Sequence, residues 1–394
     1  MIVAGLMTGT SADALDVALV EFHLDGPADQ PALKMDLRAF QEVPFASDLA
    51  LDILRLLEPD PVPLSLVSSV DRRLGQLCAD AVAAACGQTG LECDLVVSHG
   101  QTVRHDVHEG TVESTLQLGQ PAWIAERLGV PVLSDLRARD VAAGGQGAPL
   151  AGMLDHLLLV GGDEPRAMLN LGGIANVTVV SPRTDTVAFD TGPANALIDV
   201  MARRITGDPR AFDRDGAMAA RGQVDEALLA DLLADPYYAR PAPKSTGKEL
   251  FHGPYLDVHL TRHPGLDPYD VIATLTRLTA RTVAQACLPL GVSGIAVSGG
   301  GTRNPTLMAE LRAELGAGVP VSTTDEAFGL PSEAKEGCLM ALLGWLSWHG
   351  LPATVPRVTG ATHGTLAGRF TPGAEPLRLP EPLSTGPARL NVVS

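Results

Sequence analysis

Aromatic residues are scarce in this chain. Phe, Trp and Tyr make up 4% of its 394 positions against a hydrophobic share of 45%, so the core is expected from Ala, Leu and Val. Cations are scarce too: 29 Lys and Arg face 46 Asp and Glu, a formal charge of −17. That imbalance argues against non-specific binding to nucleic acid or to an anionic membrane, both polyanions. It leaves an anionic small ligand open, because backbone amides and a few local cations bind phosphate whatever the global charge. Cysteines are few and scattered. Cys78, Cys86, Cys93, Cys287 and Cys338 show no C-x-x-C spacing, which speaks against a zinc framework and for free thiols in a reducing cytoplasm. No basic residue precedes the apolar start MIVAGLMTGTSADALD, so no signal peptide is expected. No uninterrupted apolar run reaches about 18 residues, so no membrane span is expected either. A G-x-x-x-x-G-K-[ST] loop is missing, which removes the P-loop class.

The length exceeds one ordinary core and predicts two lobes of about 150–200 residues each. Residues 2–7 are an apolar run ending at Thr8-Gly9-Thr10-Ser11, and 16–22 read as a second strand, together a hairpin around a small polar turn. Residues 46–85 carry helical periodicity with a proline break near 59–63. A buried strand at 95–98 leads into His-Gly-Gln-Thr; 122–128 is helical, 130–133 a strand, and 135–147 a long polar connection. The second half repeats the opening theme. Residues 167–171 run into Gly172-Gly173, 175–180 return, and 187–189 enter Asp190-Thr191-Gly192-Pro193 before a helix from about Ala194. A helix at 270–286, a strand at 294–297, a helix at 334–348 and a Pro- and Leu-rich surface tail complete the chain. The pattern predicts an internally duplicated α/β fold with a cleft between lobes. Residues 1–133, with 345–394 packing back on them, are expected as the N-terminal lobe and 134–344 as the C-terminal lobe.

Three small-residue turns carry the chemistry. The first, Gly9, Thr10, Ser11, Ala12, Asp13, Ala14, Leu15 and Asp16, offers backbone N–H groups and two hydroxyls to phosphate. Its carboxylates, Asp13 and Asp16, suit a hydrated magnesium ion held through water. In the second, Asp190 stands at a strand end before Thr191-Gly192 and a helix start, beside a phosphate-sized anion site. It is a candidate general base, and a helix-capping role for Asp190 or Asn195 competes with that reading. The third, SGGGTRNPTL, follows a buried strand; its glycines permit close approach to a base and ribose, and Asn304 can cap the next helix. It is not G-x-G-x-x-G, so dinucleotide binding is poorly supported. Two phosphate-facing turns and one adenosine-type turn, in this order, are the layout of a two-lobed actin-like (ribonuclease H-like) α/β ATPase with its active site in the interdomain cleft.

The segments GLMTGTSADALDVALVEF, SHGQTVRHD, TLQLGQPAWIAERLG, SDLRARDVAAGGQGAPL, LNLGGIANVT, FDTGPANALID and SGGGTRNPTL together resemble the anhydro-N-acetylmuramic acid kinase family over about residues 3–360. The resemblance implies an enzyme that uses ATP, Mg2+ and water to open the 1,6-anhydro bridge of its sugar and phosphorylate O6. The role implied is recycling of cell-wall sugars, in a cytoplasmic homodimer. Asp190 would activate the water, and Glu336, in PSEAKEG, matches a glutamate of the family pattern, with a solvated helix position as its alternative. Arg137, Asp140 and Gln146 read as sugar contacts, Arg137 toward the lactyl carboxylate; a surface Arg137–Asp140 ion pair is the alternative. His99, Gln101 and Thr102 are expected to face the cleft, Gly172 and Gly173 to support the nucleotide-side turn, and Gly300 and Thr302 to lie near adenosine. Ala14, Ala194, Gln120 and Gly337 depart from the family pattern. An alanine at 194 resists positive φ, and Gly337 weakens its helix by about 1 kcal/mol. A levoglucosan-type kinase, a conformational ATPase and a non-catalytic sugar-binding regulator are the rival readings.

Overall fold

The computed structural model describes residues 1–9, 13–58, 60–108, 110–247 and 250–393. They form two compact units, one of residues 1–158, 328–330 and 334–394, the other of 159–327 and 331–333.

In the first unit the apolar run becomes β1 (Ile2–Thr8), and β2 (Ala14–Asp25) returns antiparallel with Leu6 opposite Val17. β3 (Ala32–Pro44) extends the meander. β4 (Leu95–Ser98) lies parallel to β1 on its other side. β5 (Gln101–His108) and β6 (Thr111–Leu118) make a separate hairpin, and β7 (Val132–Ser134) lies parallel to β4. With neighbours on both sides and layers on both faces, β1 reads as a nearly unbroken apolar run.

Successive side chains of β1 point to opposite faces. Ala4 and Leu6 pack under the helices Ser47–Leu57 and Leu64–Thr89, whose proline-rich interruption falls where the sequence placed it, against Leu49, Ile53 and Leu74. Gly5 faces the other way, toward the helix Lys335–Trp348. A Cβ on Gly5 would overlap the Gly337 carbonyl oxygen, and one on Gly337 would lie 2.8 Å from the Ala18 Cβ. Gly337 is therefore a close-packing residue as well as a weak helix former. Its cost in helix propensity is offset by the approach of helix to sheet.

The second unit opens with the meander β8 (Arg166–Leu171), β9 (Ile174–Val180) and β10 (Val187–Pro193). β11 (Ile295–Ser298) lies parallel to β8 and β12 (Val321–Thr323) parallel to β11. The helices Pro268–Cys287 and Pro305–Leu315 cover this sheet through Ala280, Val283, Leu307 and Leu311. Five strands in each unit follow one plan: third, second, first, fourth, fifth, with the first three antiparallel and the rest parallel. The duplication legible in the turns is thus a duplication of the whole ribonuclease H-like sheet.

Two expectations are corrected near the C-terminus. β13 (Arg369–Thr371) pairs with β7, and β14 (Arg389–Val393) pairs parallel with β3. The expected surface tail therefore ends as an edge strand with Leu390 buried, covering backbone groups that β3 would otherwise expose. The division between units also falls after Leu158, not after 133, and the helix Lys335–Trp348 goes with the first unit. The cause is long-range: that helix packs on β1, β2 and β4, and Asp140 is bonded to Thr359.

Candidate active site

Each unit gathers one set of the side chains singled out by sequence. In the first, β4 and β7 end side by side with Ser98 opposite Ser134. His99 follows β4 directly and is buried. Its Nδ1 donates to the Gly100 carbonyl at 2.6 Å, and its Nε2 accepts from Arg137 Nε at 2.9 Å. A carbonyl on one nitrogen and a guanidinium on the other allow a single neutral tautomer. Burial, then the Arg137 charge, push the imidazole pKa down to about 3. His99 is a fixed acceptor that braces Arg137.

Arg137 also donates from Nη1 to the Gly147 carbonyl at 2.6 Å. Burial lowers its pKa to about 10, with Glu336 and Asp140 opposing, so the group remains a cation at neutral pH. Asp140 is fully buried. It accepts from the Thr359 hydroxyl and the Gly147 N–H, both at 2.7 Å. A solvent-exposed Arg137–Asp140 pair is therefore not what the segment holds. The polar connection is a folded loop with the short helix Ala138–Ala142, tied by Asp140 to a partner 219 residues away. Gln146 donates to the Gly110 carbonyl at 3.2 Å, and its N–H donates to Thr359. Gln101 is buried and reaches the Gly9 carbonyl at 3.4 Å; the Thr102 hydroxyl accepts from Gln117 across the β5–β6 hairpin.

Carboxylates gather on the same unit. Asp16 on β2 stands opposite Glu42 of β3. Burial first, then the charges of Glu336, Glu42 and Asp13, raise its pKa to about 7. Glu336, in the first turn of its helix, is raised by burial, with Lys335 and Arg137 pulling it back. The Glu336 side chain is nonetheless solvent-exposed, as the alternative of a solvated helix position expects, so both readings stand. Asp13 lies in the same field, Ala14 and Leu15 are ordinary strand residues of β2, and Thr10, Ser11 and Ala12 lie outside the described residues.

In the second unit, Asp190 sits within β10 and not at a helix start. Its Oδ1 accepts from Asn176 Nδ2 and its Oδ2 from the Thr246 N–H, both at 2.9 Å. Its backbone is held by the Lys244 carbonyl and the Tyr237 hydroxyl. Hydrogen bonds to both oxygens fix its orientation. The helix Asn195–Thr206 starts instead on the Gly172 and Gly173 carbonyls, which accept the N–H groups of Ala194, Asn195 and Ala196. Ala194 has φ −107°, so the turn asks no positive φ of alanine there. Gly192, at φ +150°, passes so close to Tyr238 that a Cβ would lie 2.9 Å from the ring. Beyond β11, Gly299 and Gly301 press on Leu171, while a Cβ on Gly300 would meet no described atom within 4 Å. Thr302 donates to the Gly299 carbonyl, and Asn304 caps the helix Pro305–Leu315.

The family model described as anhydro-N-acetylmuramic acid kinase matches residues 1–373. A protein of that name from Streptomyces coelicolor is 53% identical over 394 residues, covering all of this chain and 99% of the relative. Another, from Rhodococcus erythropolis, is 45% identical over 385 residues, covering 96% of each. The chain belongs to the anhydro-N-acetylmuramic acid kinase family. Membership in the anhydro-N-acetylmuramic acid kinase family makes it a kinase that uses ATP. Among the described residues no helix is long and apolar enough to cross a membrane.

Several residues of the sets escaped the sequence. Asn176 follows from hairpin register, because it stands directly opposite Asp190. Thr246 and Lys244 lie in Lys-Ser-Thr-Gly, a small and cationic stretch whose composition is the only signal. Three of the four tyrosines, Tyr237, Tyr238 and Tyr255, pack with Phe251 beside Asp190. Thr359 had no local signal at all.

Proposed function

We propose that this kinase acts on 1,6-anhydro-N-acetylmuramic acid, opening its anhydro bridge with water and placing the γ-phosphoryl of ATP on O6. Water adds at C1 as the C1–O6 bond breaks; Asp190 takes the proton. O6 then forms a bond to the γ-phosphorus as the bond to ADP breaks, giving N-acetylmuramic acid 6-phosphate and ADP. A carboxylate oriented by Asn176 and Thr246 suits the base. Glu336 is the second carboxylate of the reading.

The observation that carries the substrate assignment is Arg137, a cation braced by a neutral histidine. Among the described residues, Nε and Nη1 each give one hydrogen bond to the protein, so three of the five N–H groups of a guanidinium remain to take a carboxylate in the forked geometry. The lactyl group of a muramic sugar supplies that carboxylate, and levoglucosan does not. Asp140 and Gln146 shape the loop around Arg137, while Gln101 and Thr102 place the hairpin next to it. Gly9, Gly172, Gly173, Gly192, Gly300 and Thr302 are assigned to the nucleotide.

Magnesium fits the carboxylates of the first unit. Asp16 is held near neutral pKa first by burial and then by surrounding negative charge, the part a cation relieves, yet among the described residues no three ligands form a protein-only metal site. Asp13 and Asp16 would hold the ion through water, as magnesium prefers. Bound there, it would neutralise phosphate charge during transfer. A cytoplasmic homodimer belongs to the same reading and is supported by the family resemblance; light scattering tests the dimer.

ADP release is measured with Mg-ATP and 1,6-anhydro-N-acetylmuramic acid, and with levoglucosan in parallel. Turnover with the muramic sugar alone is expected. Turnover with levoglucosan alone would move the substrate and remove the role of Arg137.

A further inference from the structure

The helix that carries Glu336 begins without a conventional cap. Its N-cap is Ala334, with no side-chain hydrogen bond, and its first residue is Lys335, buried with its side chain 6% exposed. A lysine there opposes the helix dipole, whose N-terminal end is positive. It also costs desolvation. Lys335 Nζ lies 2.8 Å from Asp155 Oδ1, and the Asp155 side chain is 4% exposed. Asp155 belongs to the helix Gly152–Leu159, the first helix after the loop that presents Arg137 and Asp140. One ion pair therefore ties the Arg137-bearing segment to the first turn that bears Glu336, wholly within the first unit.

Stability does not account for this pair. Buried ion pairs are commonly no more stabilising than well-packed apolar residues of the same volume, because desolvation offsets their attraction. What charges add is a single geometry, since displacing either partner weakens the compensation of a buried charge. We propose that Lys335 and Asp155 are positioning residues: a buried anchor that fixes the otherwise uncapped first turn and so holds Glu336 in register with Arg137 for ring opening. The Lys335 charge also counteracts the effect of burial on Glu336. This inference rests on Glu336 taking part in the reaction.

The test uses the full chain with Mg-ATP and 1,6-anhydro-N-acetylmuramic acid, reading ADP release and thermal unfolding together. Lys335→Met and Asp155→Asn are expected to lose roughly 100-fold in kcat, the scale of a misplacement of about 1 Å, with KM for ATP unchanged. The double variant Asp155→Leu/Lys335→Met removes both buried charges together, so it regains stability while kcat stays low. Lys335→Arg keeps the cation and recovers most of kcat. A double variant with both wild-type stability and wild-type kcat overturns the proposal, and it decides the matter even where a single variant does not fold. Glu336→Gln is measured alongside. Normal kcat in that variant removes the role of Glu336 itself, whereas a loss there beside a normal double variant removes only the anchor.

Discussion

Asp16→Asn removes one charge from the carboxylate cluster with little change of shape, and its effect on stability depends on pH in a direction the structure dictates. Asp16 ionises at about 7 in the folded protein, against 3.8 for an unperturbed carboxyl. Between those values the native state holds a proton that the unfolded chain has lost. Stability therefore falls as pH rises through the window, and the full cost is present above about pH 7. Unscreened, that cost is about 4 kcal/mol. Asp16 keeps some solvent contact, and an effective dielectric near 20 brings the figure to about 2 kcal/mol. The variant does not bear this cost. Trp123, Trp345 and Trp348, the three tryptophans of the chain, all lie in the first unit, so their fluorescence in urea reports the unit that carries Asp16. With the protein kept free of magnesium by a chelator and an m-value of about 2–3 kcal/mol/M, the variant midpoint should lie ~0.7–1 M above wild type at pH 8 and close to it at pH 4. Equal shifts at the two pH values, or a less stable variant at pH 8, would refute the electrostatic account.

Asp190→Asn is expected to lower kcat by roughly 10²–10⁴-fold while calorimetry still detects ATP binding; near-normal turnover removes the base assignment. Arg137→Gln should raise KM for the muramic sugar about 10–100-fold, the value of a charged hydrogen bond, and equal KM values before and after exclude a lactyl contact. Gly337→Ala gains about 1 kcal/mol of helix propensity but sets a methyl 2.8 Å from Ala18 Cβ. Overpacking of about 1–3 kcal/mol outweighs that gain, so tryptophan-monitored unfolding should show lower stability, and a more stable variant would contradict the packing.

The local features of this protein were legible because local physics produces them. The apolar run 2–7 could only be a buried strand, the prolines near 60 had to divide two helices, and Asn304 had to cap the helix after it. The small-residue turns likewise announced two repeats, and motif order with them announced the family. Tertiary structure decided whatever depends on partners distant in sequence. For Asp190, a helix cap competed with the general-base reading until hairpin pairing set it opposite Asn176 within a strand. Arg137 and Asp140, read as sugar contacts, had a surface ion pair as their alternative until His99 and Thr359 claimed them separately. The C-terminal stretch looked like a tail because two alternating apolar residues say nothing until an open sheet edge lies beside them. Lys335 carried no signal in the sequence, since only the packing of its helix against the sheet buries it beside Asp155. Periodicity records which way a side chain points along its own element; which atom it meets there is set by chain closure over a hundred residues or more.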